Sequence, residues 1–275
     1  MKLVVPSYID HFHITQLSVK NAIKSIPDIS SVHILWNDKN SSKKVGEKLA
    51  NLVNGNTIFF SDLFLQERIQ TKNNWLIQQF AKLSLHKVFP DEKIALVCGD
   101  SILRKSTPLI NKQGISIKYL SKEHYKPYYN FVEFLLGVNK CIEDSFIAEW
   151  HLWDTYILDK LDKFVQAKHQ KPIHQVFLDY QTNESPNNLV PGFSESTIYG
   201  TFMHTIEKQD YVTQPELITE VDSKDFAHMY LTTNDNLHLV DPHNGDWRID
   251  ESFWSTQNIK FEEEIKLLSQ IINEQ

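Results

Sequence analysis

Asn73 to Ser101, NNWLIQQFAKLSLHKVFPDEKIALVCGDS, is the stretch from which the fold is read. Asn73 to Phe89 is amphipathic, Pro90 and Asp91 break the chain, and an apolar run from Ile94 to Cys98 stops at Gly99-Asp100-Ser101. That order predicts a helix, a turn, a buried strand, and a carboxylate just past the strand's C-terminal end. Open α/β sheets bind ligands outside the carboxyl ends of their strands. Asp100, presented there by a glycine, is placed to hold a metal ion or a phosphate-bearing molecule.

Upstream of this stretch the chain alternates. Strands are predicted over Lys2 to Val5, Ser31 to Trp36 and Thr57 to Phe60, and helices over Ile14 to Ile26 and Lys43 to Val53. Such alternation implies an α/β fold with a mostly parallel, Rossmann-type sheet and helices on both faces. Three polar strand ends, Ser7 to Asp10, Asn37-Asp38 and Gly99 to Ser101, are then expected along one sheet edge. Downstream the pattern is less regular. Ile115 to Leu120 reads as a strand, Asp144-Ser145 as a helix start, Ile147 to Phe164 as a helix, and Ile259 to Ile272 as a terminal helix.

Composition sets the outer limits. A chain of 275 residues, 41% hydrophobic and 23% charged, can bury one full core. A formal net charge of -7 argues against a nucleic-acid-coating surface. Two cysteines, Cys98 and Cys141, do not suggest a disulfide framework, so a reduced, cytoplasmic protein is expected. There is no apolar run of spanning length and no signal-peptide h-region, which leaves only peripheral contact with the inner face of a membrane. Walker, dinucleotide-fingerprint, His-Glu-x-x-His and nucleophile-elbow motifs are absent.

The pattern resembles the GT-A glycosyltransferases. Val4-Val5-Pro6-Ser7-Tyr8 matches their first strand end, Trp36-Asn37-Asp38 their second, and Cys98-Gly99-Asp100 stands where the family has Asp-x-Asp. The resemblance is nearest to a bacterial GT-A-like family with a Gly-Trp-x-x-Gln-Gln-x-x-Lys-Leu helix and a Phe-Ser-Glu-Tyr-x-x-Tyr-Gly motif. Asn74 to Leu83 matches the first, with Asn for Gly, and Phe193 to Gly200 the second, with Ser196 for Tyr. The resemblance implies a single GT-A-like domain: residues 1–105 as a nucleotide-sugar-binding half and 106–275 as an acceptor-binding, catalytic half. It implies transfer of a sugar from a UDP- or GDP-linked donor to a hydroxyl of a glycan acceptor, in bacterial surface polysaccharide synthesis. A nucleotidyltransferase of similar fold, or a non-catalytic nucleotide- or glycan-binding protein, stays open beside it.

Candidate residues follow from both readings. Pro6, Ser7, Tyr8 and Asp10 form the first loop; Tyr8 is suited to stack on a base and Asp38 to accept a hydrogen bond from it. Trp75, Gln78, Gln79 and Lys82 share one helix face, with Lys82 able to offset diphosphate charge. Asp100 is the candidate for metal and donor diphosphate, and Ser101 can add a hydroxyl to phosphate or sugar. Cys98, a soft thiol where the family has a carboxylate, weakens any Mn²⁺ or Mg²⁺ site. Glu195 is the first choice of general base, with Glu149 and Asp154 as rivals. Glu149, His151 and Asp154 form a second polar cluster, in which His151 and Asp154, at helical i, i+3 spacing, are spaced to bind a metal together, and His243 resembles the C-terminal metal-shell histidine of some GT-A enzymes.

Overall fold

The computed structural model describes residues 1–8, 12–38, 43–63, 73–99, 101, 103, 106–184 and 192–215. Five strands form the main sheet: β1 (Lys2–Ser7), β2 (Ser31–Trp36), β3 (Asn56–Phe59), β4 (Lys93–Val97) and β6 (Trp150–Asp154), in the order β3-β2-β1-β4-β6. The first four are parallel, and β6 runs antiparallel to β4. The four predicted strands therefore lie in one mostly parallel sheet. β5 (Ser116–Leu120) pairs instead with β7 (Tyr211–Pro215) in a small parallel ribbon.

Strand side chains alternate between two buried faces. Leu3, Val5, Ile34, Trp36, Ala95, Val97, Trp150 and Leu152 pack on one side with residues of α1 (Phe12–Ser25) and α2 (Lys43–Leu52). Val4, Leu35, Ile94, Leu96 and Trp153 pack on the other, against α4 (Asn74–Leu83), α5 (Lys126–Leu136), α6 (Thr155–His169), α7 (Ile173–Glu184) and α8 (Glu195–Thr201). A short helix, α3 (Phe60–Leu63), follows β3. Helix starts are capped as the side chains allow: Asn73 accepts from Leu76 N, Asp154 from Tyr156 N and Ser194 from Thr197 N.

Several expectations are corrected. Residues 150–154 form a strand, because each pairs in register with β4 and its two tryptophans favour the pleated surface. The helix begins only at Thr155, where Asp154 caps it. Ser145 is no helix start; it bridges to Ser121 across two short extended segments. β1 continues through Pro6 to Ser7 rather than stopping at Val5. The terminal helix expected over Ile259 to Ile272 lies outside the described residues. Among the described residues no helix is long and apolar enough to cross a membrane.

Candidate active site

The parallel order of β2, β1 and β4 brings Asn37-Asp38, Ser7-Tyr8 and Cys98-Gly99 to one edge of the sheet, as expected. Asn37 N donates to Ser7 O at 3.1 Å. Gly99 is required here, since a Cβ would lie 2.4 Å from the Pro6 carbonyl oxygen and 2.9 Å from Thr15 Oγ1. The space expected for a ligand beside this glycine is thus filled by the end of β1. Ser7 turns its hydroxyl to Thr15 Oγ1, 2.8 Å away, and not to open solvent. Asp38 accepts from Ser61 N at 3.1 Å and Ser61 Oγ at 2.6 Å, with Lys43 at 3.5 Å, so its carboxylate already anchors the start of α3. Tyr8 is half-buried. Ser101 is fully buried, and its Oγ meets no partner among the described residues. Asp10, Asp100 and His243 lie outside the described residues.

Beside this edge the two long sequence motifs meet. Lys82 Nζ, on α4, donates to Glu195 Oε1, on α8, at 2.8 Å, and both side chains are buried. Gln79, one turn before Lys82, joins them. With its amide nitrogen toward the carboxylate, it donates to Glu195 and accepts from Trp75 Nε1 at 3.3 Å. Trp75 remains 39% exposed, with its indole N–H held by Gln79. Gln78 is half-buried. The stripe read as a cleft-facing polar surface is therefore split: Gln79 and Lys82 clamp α4 to α8, and Trp75 and Gln78 stay nearer the surface. Gly200 closes the second motif for a packing reason, since a Cβ there would sit 2.1 Å from the Phe146 ring.

The electrostatics of the edge are those of a carboxylate group around one ammonium. Burial opposes the charge on Lys82, but Glu195, Cys98 and Glu149 together hold its pKa above the ordinary value. Cys98 N donates to Glu149 O at 2.9 Å, placing Glu149 at the end of β4. Glu123 completes the group. Burial first, then the charges of Glu149 and Glu195, raise its pKa to about 7. Sequence reading missed Glu123, which lies in a turn between β5 and α5 with no motif or periodic pattern around it.

Asp154 belongs elsewhere. It pairs in register with Lys93, the first residue of β4, whereas Trp150, beside Glu149, pairs with Val97, the last. Asp154 is thus at the opposite edge of the sheet, roughly 13 Å of extended chain from Val97, and it is occupied as the cap of α6. His151 and Asp154 are three apart on a strand, so they point to opposite sides and make no metal pair. His151 contacts Ser196 Oγ at 3.0 Å. Burial first, then the positive charges of Lys118 and Lys82, lower its pKa to about 3.

Of the residues expected to hold a divalent cation, Asp100 and His243 lie outside those described. No three His, Cys, Asp or Glu side chains among the described residues converge as ligands. The end of β4 offers a half-buried thiol, Cys98, with an ammonium rather than a ligand set beside it.

No protein-family model matches the chain, and no curated protein matches it. Solved structures similar to it include the WbbM bifunctional glycosyltransferase, with 15% identity over 64% of this chain and 34% of that one, TM-score 0.40. The galactosyltransferase LgtC, solved with donor and acceptor sugar analogues, gives 14% identity over 64% and 69%, TM-score 0.37. The glucosyl-3-phosphoglycerate synthase of Mycobacterium tuberculosis, solved with Mn²⁺ and UDP, gives 8% over 57% of each chain, TM-score 0.35. The chain thus spans about a third of the WbbM protein.

Proposed function

We propose that the chain is a glycosyltransferase that moves a sugar from a nucleotide-sugar donor to a hydroxyl of a glycan or related acceptor. The observation that carries the reading is the Lys82–Glu195 contact. Two motifs singled out in the sequence, 113 residues apart at that pair, meet at the C-terminal edge of the sheet, where β4 leads into Asp100. In this reading Tyr8 takes the base, Asp38 holds the start of α3 beside it, Asp100 takes the diphosphate, and Lys82, paired with Glu195, fixes α4 against α8 at this edge. The exposed Trp75 side chain stacks on a sugar ring. Glu123 accepts the proton of the acceptor hydroxyl, since a carboxyl with a pKa of about 7 is matched to that task at neutral pH. Glu195, held by Lys82 and Gln79, and Glu149 shape the pocket around it. Sequence resemblance extends the reading to bacterial surface polysaccharide synthesis at the cytoplasmic face of the membrane.

One residue supports a second reading. Cys98 stands where the resemblance expects a carboxylate, which fits a non-catalytic nucleotide- or glycan-binding protein. Calorimetric titration of UDP- and GDP-sugars, with and without Mn²⁺, into the wild type and Asp100→Asn separates the readings. Donor binding weakened about tenfold or more in Asp100→Asn, with sugar transfer in the wild type, is the expected result. Unchanged donor affinity in Asp100→Asn sinks the donor assignment, and tight donor binding without turnover leaves the binding protein ahead. Where transfer is seen, kcat/KM should rise with pH through about 7, as Glu123 ionises, and fall in Glu123→Gln.

A further inference from the structure

At the far edge of the sheet lies a cavity of about 300 Å³, lined in part by Lys93, Ser116, Lys118, Asp154, Gln209 and Asp210. It opens beside β6, the end strand of the main sheet. Ser116 and Lys118 are two apart on β5 and so share one strand face. Both are buried and line the cavity. Lys118 Nζ donates to Leu152 O at 2.5 Å and lies 5.2 Å from the centre of the Tyr199 ring. Ser116 Oγ is buried and has no hydrogen-bond partner among the described residues. Asp154 and Gln209 are half-buried, and Lys93 and Asp210 are exposed at the rim.

This is an uncommon lining for a gap left by packing. An amine and a hydroxyl without a partner among the described residues line the same space, and a buried hydroxyl left so calls for an explanation. An ammonium has three donors, and Leu152 O uses one. The remaining donors and Ser116 Oγ can converge on an oxyanion. Asp154, Asp210 and Gln209 can accept from hydroxyls placed farther out. With both lysines charged, Asp154 and Asp210 balance them, so an oxyanion is held by the local donors of Lys118 and Ser116 and not by net charge. The volume is at the small end for ligand pockets, the size of a monosaccharide and not of a nucleotide-sugar.

We propose that this cavity is a second ligand site, separate from the candidate donor cleft, for a small hydroxylated anion such as a sugar phosphate or a sugar acid, with its oxyanion on Lys118 and Ser116. The unliganded amine has a pKa lowered to about 7, by burial first and then by the charge of Lys93 against that of Asp154. An oxyanion favours the ammonium, so binding takes up a proton above neutral pH and weakens as pH rises.

The test is calorimetry on the full chain at pH 8, in two buffers of different ionisation enthalpy. The probes are glucose 6-phosphate, glucuronate and inorganic phosphate, with glucose as the neutral control. At least one anionic probe should bind with proton uptake, and the preferred one tells phosphate from carboxylate. Lys118→Met should lose about tenfold or more in affinity and Ser116→Ala about threefold to tenfold, typical of one charged and one neutral hydrogen bond. Ser116→Ala should leave Tm unchanged or raised, because it removes an unpartnered hydroxyl, and it reports on the site even if Lys118→Met does not fold. Saturating UDP-sugar should not compete. Equal affinity in wild type and Ser116→Ala, competition by UDP-sugar, or no binding of any probe up to about 10 mM would overturn the proposal.

Discussion

Two buried lysines mark the two ends of the β4–β6 pair, and their charges are set in opposite directions. Lys82, at the C-terminal end of β4, is held protonated above the ordinary range; Lys118, beside the N-terminal end, is lowered to about 7. Burial is the leading cause that lowers both. The difference lies in the partners: Lys82 meets the Glu195 carboxylate at 2.8 Å, whereas Lys118 meets a neutral carbonyl, that of Leu152, at 2.5 Å. One helix serves both ends. On α8, Glu195 faces Lys82, Ser196 contacts His151, and the Tyr199 ring lies beside Lys118. The comparison teaches that at similar burial the partner decides the direction in which a lysine's pKa moves in this core.

The largest expected effect comes from breaking the paired end. Glu195→Ala leaves the Lys82 ammonium buried without its carboxylate and removes the acceptor of Gln79. Losing one member of a buried pair costs about 3–5 kcal/mol. The double variant Lys82→Met with Glu195→Leu should recover most of that loss, because no lone charge remains. Urea denaturation of the three proteins at pH 7 measures both. A cost under about 1 kcal/mol for the single variant would mean that water reaches Lys82 and that the pair does not tie α4 to α8.

These two ends were not equally legible in the sequence. The paired end was half visible: Lys82 and Glu195 stand in quoted motifs, yet nothing in the sequence says that they touch. Cys98 and Asp100 were readable because an apolar run ends abruptly at a glycine. Glu123 gave no signal, since its proximity to Glu149 and Glu195 is created by long-range packing. The four parallel strands were legible because each is a short apolar run ended by polar residues. β6 was not, because Trp150, Trp153 and Ile157 suit helical spacing as well as a strand followed by a helix. Only pairing with β4 decides it. Lys118 lies between Ile117 and Tyr119, so strand alternation places it away from their core face. It is buried because β5 packs beside β6 and its amine meets the Leu152 carbonyl.

A pH titration of stability sharpens the contrast. For Lys118 the folded pKa, about 7, is below the ordinary 10.5. Between these values the unfolded chain binds more protons, so this residue makes stability rise as pH climbs from about 7 toward 10.5. Lys82 has the opposite sign: its folded pKa is above 10.5, so its contribution is present below that pH and lost above it. Lys118→Met should therefore lose a rise of about 2–4 kcal/mol between pH 7 and pH 10 that the wild type retains. The check is the urea midpoint of both proteins at the two pH values. Parallel curves would show that Lys118 stays protonated in the folded protein and that the two ends are alike.

The smallest expected effect asks what Tyr199 does for the unpaired end. Asp154 N donates to Tyr199 Oη at 2.8 Å, and the ring stacks on Trp153 at 4.8 Å while lying 5.2 Å from Lys118 Nζ. Tyr199→Phe keeps both ring contacts and removes only the acceptor. The Asp154 amide is then unpaired at the start of α6, a loss of about 1–2 kcal/mol. Burial is the leading cause of the low Lys118 pKa, and the ring that buries it is retained, so the pH slope assigned to Lys118 should be unchanged in Tyr199→Phe. Measuring the urea midpoint of this variant at pH 7 and pH 10 separates the two contributions. A uniform small loss at both pH values fits a hydrogen bond that anchors the helix start. A changed slope would mean that the phenol, through Asp154, controls the charge on Lys118, and that this end too depends on a specific partner.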